Sequence, residues 1–121
     1  MTYAILYLEI NLFSIALLLF TFGHIEGDKA LVHVADALRK ACDGSHCLTA
    51  RYGGDEFVVF SPADEAEKIS GGIQACLQEA SGTLPYALSV CIGTAKADRS
   101  KPLQALIAEA DEKLYQQKRE R

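Results

Sequence analysis

Near the middle of the chain, Gly53-Gly54-Asp55 separates two short runs of β-forming residues, LTARY at 48–52 and EFVVF at 56–60. Adjacent glycines reach backbone angles closed to other residues, so this spacing predicts a β-hairpin that the remaining elements must cover. Tyr3 to Ile10, rich in Ile, Leu and Tyr, reads as a buried strand. Gly27-Asp28 is expected to open a helix with Leu31, Val34, Leu38 and Cys42 at helical spacing, ending near Gly44. Ser61-Pro62 has the pattern of a helix start, with Ser as cap and Asp64 three residues later. That helix carries Ile69, Ile73, Cys76 and Ala80 on one face and stops at Ser81-Gly82. Tyr86 to Ala95 reads as a further strand. Ser100-Lys101-Pro102 starts a last helix with Leu103, Leu106 or Ile107, Ala110 and Leu114 facing inward. The order is that of a ferredoxin-like, split βαβ α+β fold (βαββαβ) with one added helix.

At 121 residues the chain is one domain, and its charge of −4 argues against a nucleic-acid polymer as partner. A nucleotide bound through magnesium is compatible with that charge, because the metal supplies the positive end. The four cysteines are too sparse for a disulfide scaffold and point to a reducing, cytoplasmic setting. Cys42, His46 and Cys47 have no second paired knuckle, so structural zinc is not expected, and Cys76 and Cys91 read as small core residues. The apolar run from Leu12 to Phe22 is too short to span a bilayer, and no cationic residue precedes it as in a signal peptide. It reads as a buried helix following a buried strand, and membrane association is not expected.

Topology gives these elements a chemical consequence. A helical crossover makes the first two strands parallel, and the hairpin makes the third antiparallel to the second. With the third strand inserted between the first two, the end of strand one meets the hairpin tip, and Glu9 approaches Asp55 and Glu56. Carboxylates gathered from separate strands repel one another unless a divalent cation sits between them.

Residues 51–57, RYGGDEF, resemble the signature hairpin of GGDEF domains, the diguanylate cyclase family. Three collinear patches agree with that family: GHIEGD at 23–28, LSVCIG at 88–93, and Ala110-Asp111 through Leu114-Tyr115 to Lys118. The resemblance runs from about Tyr3 to the end and implies a palm-like nucleotide-cyclase sheet. It implies condensation of two GTP into cyclic di-GMP across a homodimer, with Mg2+ or Mn2+. By the same resemblance, Asp55 and Glu56 are the catalytic carboxylates, and Glu9, Ile10, Asp55 and Glu56 the metal ligands. Gly53 and Gly54 approach phosphate, Asp28 matches the guanine-binding Asp, and Lys118 matches a phosphate-binding lysine. Taken alone, Asp28 reads as a helix N-terminal carboxylate and Lys118 as a solvated charge.

The departures cluster after strand one. Family members read approximately DxDxFKxINDxxGH there, whereas this chain has Glu9 for the first Asp, Asn11 for the second acidic position, and an apolar segment two residues longer than usual. Asn11 is the only asparagine, so the guanine-reading Asn has no counterpart. The family's RxxD product-inhibition motif is absent from 44–47, so feedback at that place is not expected. The chain starts almost at strand one, and the family's upstream helix and a sensory domain are expected to be missing. Two readings stay open: a weak cyclase, and an inactive module that binds GTP or a protein partner.

Overall fold

Strand β1 (Tyr3–Ile10) is buried along almost its whole length and lies in the interior of the sheet. The computed structural model describes residues 2–119, with the side chains of 12–19 outside that description. Helix α1 (Leu12–Ala41) follows β1, then β2 (Leu48–Arg51), β3 (Glu56–Pro62), a 3-10 turn (Ala63–Glu65), α2 (Ala66–Ser81), β4 (Val90–Lys96) and α3 (Leu103–Arg119). The sheet order is β2-β3-β1-β4, and every neighbouring pair is antiparallel. β3 therefore lies between β1 and β2, as the hairpin argument requires.

Alternation along β1 divides the core. Ala4, Leu6, Leu8 and Ile10 join Val34 and Leu38 of α1 and Ile69, Ile73 and Leu77 of α2 on one side. Tyr7 joins Cys91 and Ala95 of β4 and Ile107, Ala110 and Leu114 of α3 on the other. The chain is thus an α+β fold, a four-stranded antiparallel sheet flanked by helices.

Five local expectations are corrected. The helix carrying Leu31 and Val34 does not open at Gly27-Asp28: helix runs from Leu12, as the apolar run suggested, and its break falls at Gly23, with φ 84° and ψ −179°, so the second segment starts just after Gly23. Only glycine adopts those angles without strain. Ser61-Pro62 does not cap a helix: both residues extend β3, opposite Ala4 and Tyr3, and Ser61 is fully buried. Pairing with β1 outweighs the local cap signal. The late strand starts at Val90, not Tyr86, because β1 ends opposite it and Asn11 N–H already turns to Ser89 O at 3.1 Å. Finally, Phe20 is 92% exposed and Phe22 is also exposed, so the apolar run is helical there but not buried. No helix among the described residues is long and apolar enough to cross a membrane. Leu103 is likewise exposed, leaving Leu106, Ile107, Ala110 and Leu114 as the inward face of α3.

Helix α3 approaches β4 so closely that a Cβ on Gly93 would lie 1.9 Å from Ala110 O and 2.7 Å from Leu114 N. Both atoms are helix backbone and cannot rotate away. Gly93→Ala is expected to destabilise the fold by roughly 2–3 kcal/mol, read as a lower urea midpoint at unchanged slope.

Candidate active site

The hairpin tip is held from three directions. Across the β1–β3 ladder Glu9 stands opposite Glu56, and Ile10 N–H donates to Asp55 O at 3.0 Å. Within the hairpin, Glu56 O accepts from Tyr52 N–H at 2.8 Å and from Gly53 N–H at 3.3 Å. From outside, Arg51 Nε donates to Gly53 O at 3.1 Å and its Nη2 to Gly54 O at 2.6 Å. Both glycine carbonyls are therefore occupied by one guanidinium, a planar fork suited to two acceptors. The sequence reading gave Arg51 no task. Its place, two and three residues before carbonyls that a tight tip leaves unpaired, was the available signal.

Each predicted residue has a definite place. A Cβ on Gly53 would meet Glu56 Oε1 at 2.6 Å, so the missing side chain leaves room for the Glu56 carboxylate. A Cβ on Gly54 would meet nothing within 4 Å, so its bareness serves no internal contact and leaves the tip open. Asp55 Oδ2 is buried and, among the described residues, accepts no hydrogen bond. Such an orphaned acceptor costs about 1–3 kcal/mol in desolvation. Lys118, at the end of α3, forms an ion pair with Glu9, and both side chains are largely shielded at 27% and 22% exposure. Reading Lys118 as a solvated charge is thereby corrected. Asp28 lies exposed inside α1 and makes no hydrogen bond or ion pair among the described residues. Its reading as a carboxylate at the helix start is corrected too, since the helical segment that follows the break at Gly23 has already passed its first turn at Asp28.

One turn beyond Asp28, an open groove of about 410 Å³ runs between α1 and β2. Leu31, Leu38 and Phe57 make its apolar wall, and Arg39 and Arg51 supply guanidiniums. Arg51 thus belongs both to the groove and to the hairpin tip.

The oxygen donors are of the hard kind that magnesium takes. Asp55 Oδ2 is unspent, and Ile10, whose N–H is bound to Asp55 O, has a carbonyl to offer. Among the described residues, however, no group of three His, Cys, Asp or Glu side chains is assembled to hold a metal ion. Glu9 is turned to Lys118 instead. The donor types suit a divalent cation, with Glu9 engaged by Lys118 in this structure. At the other candidate cluster, burial pushes the Cys42 thiol up to about 12, with the hydrogen bond and charge of Cys47 adding to it. A thiol that keeps its proton is a poor metal ligand.

The family described as "Diguanylate cyclase, GGDEF domain" matches residues 2–121. The chain belongs to the GGDEF family. This GGDEF domain is 33% identical over 105 residues to the diguanylate cyclase DgcP of Pseudomonas aeruginosa, covering 81% of this chain and 15% of that protein. It is 36% identical over 106 residues to the diguanylate cyclase DosC of Escherichia coli, covering 82% of this chain and 23% of DosC. It therefore spans less than a quarter of the length of either relative. Among solved structures, the GGDEF domain of PA1120 (YfiN or TpbB) from Pseudomonas aeruginosa superposes with a TM-score of 0.83 at 29% identity, over 99% of this chain and 78% of that one.

Two outcomes follow from this geometry. Arg51→Ala removes two exposed hydrogen bonds, so global stability should fall by no more than about 1–2 kcal/mol, while amide exchange at 52–56 accelerates well beyond that of β1. For Cys42, the folded chain holds a proton that the unfolded chain releases above about pH 9, so this group's contribution to stability is lost as pH rises toward 12. Iodoacetamide labelling of Cys42 at pH 8.5 should accordingly be about two to three orders of magnitude slower in the folded chain than in urea, followed by peptide mass spectrometry.

Proposed function

We propose that this GGDEF domain condenses two molecules of GTP into cyclic di-GMP, releasing two pyrophosphates. The observation that carries the reading is the hairpin tip: a rigidly clamped turn that leaves Asp55 Oδ2 unspent beside Glu9 and Glu56. Each ribose 3′-hydroxyl attacks the α-phosphate of the other nucleotide, and the α–β phosphoanhydride bond breaks as the new ester forms. One domain holds one nucleotide, so the reaction needs two copies facing each other.

The chain's own groups divide the work. Gly53 and Gly54 let the triphosphate approach the backbone, and Arg51 holds their carbonyls away from it. Glu56 is placed to accept the 3′-hydroxyl proton. Asp55, Glu9 and the Ile10 carbonyl would hold Mg2+ or Mn2+, which when bound neutralises phosphate charge and acidifies the attacking hydroxyl. Lys118 pairs with phosphate oxygens. The groove between α1 and β2 takes the base on its apolar wall, with Asp28 one helical turn away to accept the guanine N–H edge. Without a counterpart for the family's Asn, base binding loses a hydrogen-bonding group and is weaker by about 1–3 kcal/mol. The reducing cytoplasm is the compartment that supplies GTP and keeps the four cysteines free.

A second reading is favoured by the Glu9–Lys118 pair, which occupies a metal carboxylate, and by the exposed Phe20. In it the domain binds GTP or a protein partner without turnover. Incubating the purified protein with GTP and Mg2+ or Mn2+ and following products by chromatography separates the two. Cyclic di-GMP is expected, and Glu56→Ala should abolish it while leaving the fold intact by circular dichroism. Nucleotide binding without product would assign the domain to the second reading.

A further inference from the structure

The contact between Glu9 and Lys118 joins residues at opposite ends of the chain, the end of β1, one of the sheet's two inner strands, and the last turn of α3. It is not an ordinary surface pair. Both side chains are about three-quarters shielded, so the attraction is screened less than between solvated charges. Its place has an electrostatic cause. Glu9 and Glu56 stand directly opposite across the β1–β3 ladder, and like charges in that position destabilise a sheet. A cation nearby relieves that repulsion, and among the described residues the ammonium of Lys118 is in contact with Glu9. Among the described residues, Glu9 is paired with Lys118 and no group of three metal-ligating side chains is assembled.

Building on the GTP reading above, we propose that Lys118 is a tethered stand-in for the divalent cation, neutralising Glu9 in the free protein and leaving it only when a triphosphate arrives. The ammonium and a divalent ion compete for the Glu9 carboxylate. A triphosphate offers Lys118 several anionic oxygens in place of one carboxylate, and the lysine stem has the rotational freedom to turn between them. Once the ammonium has moved, Glu9 joins Asp55 in binding the metal. Metal and nucleotide are therefore coupled: each raises the affinity for the other, by the same factor in both directions. The arrangement keeps bare cations out of the site and admits them with the nucleotide.

Mn2+ binding to the folded protein, followed by electron paramagnetic resonance and calorimetry without nucleotide, tests this directly. Lys118→Met keeps the length of the side chain and removes its charge, on a helix end where the fold tolerates change. It should bind bare Mn2+ about three- to tenfold more tightly than the parent, the range expected for removing a competing, partly shielded charge. Lys118→Arg retains the competitor and should match the parent. GTP affinity measured with and without Mn2+ should show strong coupling in the parent and weaker coupling in Lys118→Met. Bare Mn2+ affinity unchanged or lowered in Lys118→Met, with Mn2+–GTP still binding the parent, would overturn the switch and leave the GTP reading standing. Failure of parent and variants alike to bind Mn2+ or GTP would overturn both.

Discussion

Everything at the site depends on the pairing of β1 with a strand on each side. Its alternating side chains fill two separate cores, and that alternation sets which residues face which helix layer. A slip of one residue would send Leu6 and Leu8 to the wrong face and carry Glu9 into an apolar layer. The position of Glu9 opposite Glu56 is therefore a product of apolar packing several residues away. Electrostatics at the sheet's end is imposed by hydrophobic register, and the polar groups around it have adapted to that imposition.

The adaptation is visible in the division of charges. Arg51 takes up the carbonyls of the hairpin tip, Lys118 takes up Glu9, and Asp55 Oδ2 is left buried without a donor. A fold selected only for stability would satisfy that oxygen or expose it. It stands as an open acceptor beside a side-chain-free turn. The clamp on the tip and the pairing of Glu9 are different in kind: the first holds backbone carbonyls, the second balances a carboxylate.

Much of this was legible in the residues. The Gly-Gly-Asp turn announced the hairpin, a local signal that the folded state had no reason to override, and the spacing of Leu106, Ala110 and Leu114 announced the inward face of α3, although Leu103 from the same expected face is exposed. The misreadings share a cause. Ser61-Pro62 has every local feature of a helix cap, yet Ser61 is a buried strand residue because β1 pairs with it. Tyr86 to Ser89 has strand composition but lies beyond the end of the strand that could pair with it. Phe20 and Phe22 read as core by composition alone, and the break at Gly23 belongs to a helix that presents them outward.

The sequence by itself determined the order of the elements, the family, and the identity of the carboxylates at the hairpin, since these rest on local turn chemistry and on collinear motifs. Tertiary structure alone decided the partners of those carboxylates. That Lys118 meets Glu9 from 109 positions along the chain, and that Arg51 spends its guanidinium on the turn, depends on how α3 packs on the sheet and how the tip closes. Charges are written in the sequence, but which of them meet is fixed by the burial of apolar surface elsewhere, because that burial is what sets the register bringing them together.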